Sequence, residues 1–317
     1  MKQILTADIG GTHSRFAHFQ LNNAGALNHC ETVWLKTREA TSFPNLLEQL
    51  QETDFSLKSL DCHIAVLAAA GPVGDSNYCS ITNVVWDINL EDIPNQFKIE
   101  HSLLINDFVA QAYACRSDAV REARTVLPGD IDPHAAIAVI GAGTGLGQCA
   151  LIMGDSGKFI AVPSEGSHSS FPFESAREVS FMHFLKGSMD VPLIEVETVV
   201  SGSGLSRIHR FLTGDRLEPA AVAKKLTPES ETLEWVARFL GRVSRNYALQ
   251  VLARGGVYIT GGIAAKLPQI VTHKEFEKEF RTSAKMAHIL EDIPVFLNSN
   301  EESALWGCAM LGKQLLG

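Results

Sequence analysis

The stretch ILTADIGGTHSR, residues 4–15, decides how the rest of the chain is read. An apolar run ends in an acid, Asp8, and turns at once on Gly10, Gly11 and the hydroxyl residue Thr12. A second glycine turn, IGAGTGLGQ at 140–148, again follows an apolar run, AAIAV. Glycine lets a backbone come close to a phosphate and adopt positive φ. The exposed N–H groups of such turns form an anion-binding nest. Two of them in one chain can grip nucleotide phosphates between them.

The chain has 317 residues, enough for a large core and two domains. Hydrophobic residues make up 45% and charged residues 20%, the balance of a soluble globular protein. A net charge of −9, with no basic run, argues against nucleic acid as a partner. The six cysteines (30, 62, 79, 115, 149 and 308) are dispersed and form no CxxC pair. Neither a disulfide framework nor a zinc cluster is expected, and free thiols suit a reducing cytoplasm. The apolar stretch in MKQILTADIGG is too short for a signal peptide, and no segment is long enough to span a membrane. A cytoplasmic protein without a membrane partner is the expectation.

Outward from the first turn, SRFAHFQL (14–21) reads as a second strand and ETVWLKT (31–37) as a third. SFPNLLEQLQET (42–53) has a Ser start, an early Pro and Leu46, Leu47 and Leu50 on one face, the pattern of a short amphipathic helix. HIAVLAAAG (63–71) and SLLIND (102–107) read as buried strands, the latter running into a helix, VAQAYACRS. HAAIAVIGAGTGLGQCALIM (134–153) then repeats the opening layout of strand, glycine turn and strand, which suggests two related halves. Downstream, residues 230–253 carry apolar residues at helical spacing, as core or as interface. GVYITGGI (256–263) is a buried strand, FEKEFRTSAKMAHIL (276–290) one amphipathic helix, IPVFLN a strand, and ESALWGCAMLGKQLL the last helix.

Three nucleotide-binding designs compete for the glycine turns. A Walker P-loop needs GxxxxGK followed by Ser or Thr, a string that does not occur. The dinucleotide fingerprint needs GxGxxG opening a helix, whereas glycines here fall at 141, 143, 145 and 147 and a strand follows. The actin-like ATPase design holds phosphate between two β-hairpins, with an acid at the end of the first strand. Asp8, Gly10, Gly11, Thr12 and the second turn suit it.

DIGGTHSR, AAGPV, TNVVWDI, INDFVA, GAGTGLG, PSEGSH, VVSGSGL and ITGGI follow one another along almost the whole chain. In that order they resemble the bacterial glucokinase family, the hexokinase-like group that phosphorylates glucose with ATP. The resemblance implies an α/β, two-domain actin-like ATPase (ribonuclease H-like) fold with a cleft between a small and a large domain. The expected small domain is 1–108 with about 298–317, and the large one 109–297. It implies ATP and Mg2+ as cofactors, glucose 6-phosphate and ADP as products, a homodimer, and closure of the cleft around the sugar. The absence of a cysteine cluster disfavours the related repressor and kinase family with its cysteine-rich zinc motif, and the first turn, at residue 8, is expected to leave no room for that family's DNA-binding helix pair.

By position alone, Asp107 is either a helix N-cap or a base at the mouth of an open α/β crevice. The resemblance implies the base that takes the proton of the sugar 6-hydroxyl, with Asn106 on a sugar hydroxyl beside it. Glu165 and His168, in a loop of small residues, are either solvated surface or directional partners for adjacent sugar hydroxyls. The resemblance implies the second, and adds Glu197. The family usually has glycine where this chain has Ser164 and Ser167, which bears on the exact sugar. The resemblance also implies Mg2+ on Asp8 through water. It puts Thr12, with the Gly10 and Gly11 backbone, on the β- and γ-phosphates. Gly143, Thr144 and Gly145 form the second phosphate turn, and Gly261 and Gly262 a wall beside adenosine. Arg15 reaches a phosphate or pairs on the surface, Asn83 supports the pocket or only the fold, and His13 departs from the family's commoner Asn.

Rival functions are a kinase for mannose, fructose or an amino sugar, a sugar-binding regulator without catalysis, and an actin-like filament protein. A base and phosphate turns speak against the regulator. Glu165 and His168 have no role in a filament.

Overall fold

The computed structural model describes residues 1–317 apart from Thr82, Asn83 and the side chain of Ser59. The role read for Asn83 therefore lies outside the described residues. The chain divides into two units, Met1–Arg121 with Asn300–Gly317, and Glu122–Ser299.

The first unit opens with β1 (Lys2–Ile9), β2 (His13–Leu21), β3 (Leu27–Lys36), α1 (Phe43–Glu52) and β4 (Ile64–Ala69). A small three-stranded meander follows, β5 (Val73–Gly74), β6 (Tyr78–Ser80) and β7 (Asp87–Asn89), then β8 (Ser102–Asn106) and α2 (Asp107–Ala114). The main sheet has the order β3-β2-β1-β4-β8. β1, β2 and β3 pair antiparallel, whereas β4 and β8 extend the sheet in parallel from β1. α1 forms as its pattern predicts: Ser42 Oγ accepts from Asn45 N–H, and Phe43, Leu46, Leu47 and Leu50 are buried. All six residues of β4 are buried, the mark of a parallel strand covered on both faces.

One cover is the C-terminal helix, Ser303–Leu316. A Cβ on Gly307 would lie 1.8 Å from the carbonyl oxygen of Ala110 in α2, and one on Gly312 3.1 Å from Ile4 Cγ2 in β1. The helix thus rests by one glycine on α2 and by the other on the sheet.

The second unit comprises β9 (Arg124–Leu127), β10 (Ile137–Ala142), β11 (Leu146–Met153) and β12 (Phe159–Ser164), then α3 (Ala176–Ser188), α4 (Val196–Val199), α5 (Gly202–Thr213), α6 (Pro219–Lys225) and α7 (Glu231–Val251). β13 (Val257–Thr260), α8 (Gly262–Lys266), α9 (Gln269–Thr272), α10 (Lys274–Arg281), α11 (Ala287–Asp292) and β14 (Val295–Leu297) complete it. Its sheet order, β12-β11-β10-β13-β14-β9, repeats that of the first unit with β9 added at the far edge. The pairing repeats too: β10–β11 and β11–β12 are antiparallel, β10–β13 and β13–β14 parallel. The restart of the sequence layout at 134 is therefore a repeat of topology.

α7 is core: Trp235, Phe239 and Leu240 are buried among Phe171, Phe181 and other apolar side chains. Its Arg242 is buried as well. The guanidinium donates to both Glu178 carboxylate oxygens of α3 (2.7 and 3.1 Å), to Glu279 Oε1 of α10 (2.8 Å) and to Pro172 O (2.8 Å). Burial pushes the Glu178 carboxyl up, but these bonds hold it below its ordinary value.

The single helix read over 276–290 is two, α10 and α11. Arg245 takes the Glu279 and Thr282 carbonyls (3.3 Å each), and Thr282 Oγ1 donates back to Lys278 O. Ser283 Oγ then accepts from Met286 N–H (3.1 Å), so side chains supply what a continuing helix would. The third strand begins at Leu27 rather than Glu31, across an irregularity at His18/Phe19 in β2 that the alternation pattern does not show.

Two stability changes follow. Gly307→Val forces α2 and the C-terminal helix apart and lowers unfolding free energy by about 2 kcal/mol or more in urea melts. Arg242→Met leaves Glu178 buried and unpaired, a loss of about 3–5 kcal/mol, and adding Glu178→Leu restores much of it.

Candidate functional site

In the first unit the candidate residues gather where the parallel strands end. Asp8 lies near the carboxyl end of β1, and β8 runs directly from Asn106 into Asp107, the first residue of α2. β4 lies between them, pairing Ala68 with Asp8 and Ala69 with Asn106. The carboxyl ends of parallel strands are where open α/β sheets bind ligands. The cap of α2 is Asn106, not Asp107: Asn106 Oδ1 accepts from Phe108 N–H (2.8 Å), and its Nδ2 donates to Gly71 O (3.1 Å). The N-cap alternative for Asp107 is thereby corrected. Its carboxylate accepts from Phe108 N–H at 3.1 Å and also from its own backbone and the Asn106 side chain. Burial, and then the negative charge of Asp8, push the Asp107 carboxyl up to about 7.

Asp8 is part of a row across three strands. It faces Arg15 on β2, which in turn faces Trp34 on β3. Arg15 Nη1 donates to Asp8 Oδ2 (2.9 Å), and the guanidinium lies 4.2 Å from the Trp34 ring centroid. Of the two readings of Arg15, the structure shows the pairing. Burial raises the Asp8 carboxyl, and Arg15 opposes the shift. Among the described residues no cluster of three or more His, Cys, Asp or Glu could hold a metal ion. An ion at Asp8 would take one carboxylate, with water and phosphate oxygens completing its shell, which is the habit of Mg2+.

The first glycine turn is pinned from β3's end. Thr37 Oγ1 donates to Gly10 O (2.7 Å) and so accepts from Ser14 Oγ (2.8 Å), while Thr37 N–H donates to Thr12 O (3.1 Å). Neither this turn nor the second uses positive φ. Among the described glycines that conformation is confined to Gly25, Gly157, Gly214, Gly256, Gly261 and Gly317. The expectation of positive φ at the two glycine turns is corrected: among their described glycines Gly145 is the one with no room for a side chain, while Gly143 faces open space.

In the second unit the space beside Gly145 is occupied by Glu197. Glu197 Oε2 of α4 accepts from Leu146 N–H (2.9 Å), and a Cβ on Gly145 would lie 2.4 Å from the same oxygen. Gly143 N–H donates to Gly145 O (2.8 Å), and Gly202 N–H donates to Gly143 O (2.9 Å). VVSGSGL is thus the backing of the turn formed by Gly143, Thr144 and Gly145. Gly204 has no room for a side chain, since a Cβ there would lie 2.0 Å from Val199 O. Arg207 donates to Thr198 O and Ser203 Oγ and feels the Glu197 charge.

Glu165 and His168 stand together on a 3-10 turn, Gly166–His168, with His168 N–H donating to Glu165 O (3.0 Å). His168 Nε2 is 3.7 Å from Glu165 Oε2, and its Nδ1 is 2.9 Å from Glu195 Oε2. A hydrogen bond to Glu195, then the charges of Glu197, Glu195 and Glu165, hold the imidazole above its ordinary pKa against partial burial. Glu195 escaped the sequence reading because it lies 27 positions away and meets His168 only through pairing of 169–171 with 194–196. Ser164 Oγ accepts from Gly166 N–H (3.1 Å) and bonds the Tyr247 hydroxyl, and Ser167 is 2% exposed. Both serines are absorbed by the loop. At the end of β13, Gly261 has φ 90°, and a Cβ there would lie 2.6 Å from Ala142 O, so strand-to-helix packing demands it. Gly262 faces open space.

Among the described residues no helix is long and apolar enough to cross a membrane. A glucokinase of Nostoc sp. is 31% identical over 349 residues, covering 99% of this chain and 100% of its own. The crystal structure of a glucokinase from an Antarctic psychrotroph superposes with a TM-score of 0.85 at 26% identity, covering 98% of each chain. A ROK family glucokinase from Streptomyces griseus, in complex with glucose and AMPPNP, shares the fold at 16% identity, with a TM-score of 0.62 over 98% of this chain and 99% of that one. The fold is that of the actin-like ATPases. The family model described as Glucokinase matches residues 5–315, and the chain belongs to the glucokinase family of sugar-phosphorylating enzymes.

Proposed function

We propose that the enzyme transfers the γ-phosphoryl group of ATP to the 6-hydroxyl of glucose, giving glucose 6-phosphate and ADP, with Asp107 as general base. The observation that carries this is Asp107 itself: a half-buried carboxylate at the end of a parallel strand, relieved of capping by Asn106 and raised to about 7 by burial and Asp8. A base poised near the working pH combines a deprotonated fraction with enough basicity to take a proton as the oxygen attacks.

Phosphoryl transfer asks the protein mainly to position and to stabilise charge. In this reading Asn106, Glu165, His168 and Glu197 bind sugar hydroxyls. Glu197 has Oε1 for that task, since Oε2 holds Leu146 N–H. The backbone of Gly10 and Gly11, Thr12, and the turn Gly143–Thr144–Gly145 receive phosphate oxygens, with Gly262 beside adenosine. Asp8 would hold Mg2+ through water, beside Arg15. Bound there, Mg2+ neutralises charge on the β- and γ-phosphates. Glucose is favoured over other hexoses because Ser164 is engaged by Gly166 N–H and the Tyr247 hydroxyl and Ser167 is buried. The glucose and AMPPNP held by the Streptomyces enzyme support the pair of substrates. A cytoplasmic homodimer, with its two units as domains, rests on the family likeness.

A coupled assay of ADP release with Mg-ATP against glucose, mannose, fructose, glucosamine and N-acetylglucosamine tests the substrate. Turnover strongest with glucose is expected, and silence with glucose beside activity on another sugar overturns it. Asp107→Ala lowers kcat about 10²–10⁴-fold while calorimetric glucose affinity stays within a few-fold; wild-type-like rates would remove Asp107 as the base.

The pH dependence has a definite sign. The base works deprotonated, so log kcat/KM rises with unit slope up to about pH 7 and then levels. Between the ordinary carboxyl value and about 7 the folded protein holds a proton that the unfolded chain has lost. Stability therefore falls as pH rises through that window. Asp107→Asn consequently raises Tm at pH 8, by an amount that shrinks toward pH 4.

A further inference from the structure

Glu195 has no part in the reading above, yet it makes the shortest polar contact of His168. Two backbone bonds bracket it, Phe171 N–H to Ile194 O and Val196 N–H to Ser169 O, both 2.9 Å, with an antiparallel bridge between Ser170 and Glu195. The segment that follows His168 is thereby stitched to the segment that carries Glu195 and Glu197. A carboxylate accepts and does not donate, so the proton between Glu195 Oε2 and His168 lies on Nδ1.

We infer that Glu195 is a positioning residue for glucose binding: its carboxylate fixes the His168 ring through Nδ1 and leaves Nε2 as the atom that meets a sugar hydroxyl. This rests on the reading that His168 binds the sugar. A ring half exposed to solvent would otherwise sample several orientations and both neutral tautomers, and binding would have to select one. In the neutral ring Nε2 accepts from a hydroxyl proton; in the cation it donates to a hydroxyl oxygen. Glu165, Glu195 and Glu197 all favour the cation. The device belongs to ground-state binding, because the ring makes the same contact before and during phosphoryl transfer.

The test is Glu195→Ala and Glu195→Gln, with His168→Ala as control. Glu195→Ala raises the glucose KM about 2- to 10-fold, the cost of one newly mobile side chain, while kcat stays within about twofold. Glu195→Gln keeps an oxygen acceptor and falls between Glu195→Ala and the wild type. In 15N-histidine spectra of the folded protein, the His168 ring shows the Nδ1–H form in the wild type. In Glu195→Ala it shows mixed tautomers and a midpoint moved down toward 6.5. Unchanged KM and unchanged ring signals in Glu195→Ala overturn the inference, as does a change in Tm alone. If His168→Ala leaves the glucose KM unaltered, the sugar-site reading itself fails. If His168→Ala raises KM and Glu195→Ala does not, only the positioning role fails.

Discussion

β4 and β10 are buried along their whole length, and the rest of the molecule is arranged to make that possible. A strand without an exposed face needs a parallel or antiparallel neighbour on each side and cover above and below. In the first unit that requirement brings the last residues of the chain back to the first: Gly307 admits α2, and Gly312 admits the side chains of Ile4, Ile64 and Val66. Because α2 is clamped from behind, Asn106 and Asp107 at its front are held at one position relative to Asp8. In the second unit, α7 crosses the apolar core, where Trp235, Phe239 and Leu240 are buried, and the Arg242–Glu178 pair ties it to α3. That buried pair specifies how the helices meet at least as much as it stabilises them.

Each unit then solves the same local problem differently. The backbone N–H and C=O groups of a tight turn between two strands need partners wherever they are buried. The first turn is held by the Thr37 hydroxyl, which bonds Gly10 O. The second is held by a carboxylate, Glu197, at a distance that a side chain on residue 145 would close. The same glutamate contributes charge to the surroundings of His168, so the second glycine turn and the loop of Glu165 and His168 share one residue. A change at Gly145 is therefore felt in both.

Charge is concentrated with equal economy. Burial raises both Asp8 and Asp107 at the rim of one sheet, the charge of Asp8 raises Asp107 further, and Arg15 stands beside Asp8 and opposes its shift. The asymmetry gives one of two like groups a cation that offsets its burial and leaves the other without one. In the second unit Glu165, Glu195 and Glu197 surround His168 and favour its charged form.

Much was legible from the residues in order. The apolar runs ending in Asp8 and Asn106-Asp107, the two glycine turns and the duplicated strand–turn–strand layout depend on neighbours in the chain, so local pattern determines them. The candidates Glu165 and His168 could likewise be found in their loop of small residues. The break between α10 and α11, the meander β5–β7, the pinning of the turns by Thr37 and Glu197, the capture of Arg15 by Asp8 and the meeting of Glu195 with His168 could not. The pinning of the second turn and the meeting of Glu195 with His168 are decided from distant parts of the chain, whereas the meander and the Arg15–Asp8 pair are close in sequence but take shape only with their sheets. Sequence by itself determined the main strands of each half and which residue types reach the ends of the parallel strands. Tertiary structure alone decided that both carboxylates are raised and that Asp8 is the one paired with Arg15, because proton affinity follows from burial and from charges that folding brings near.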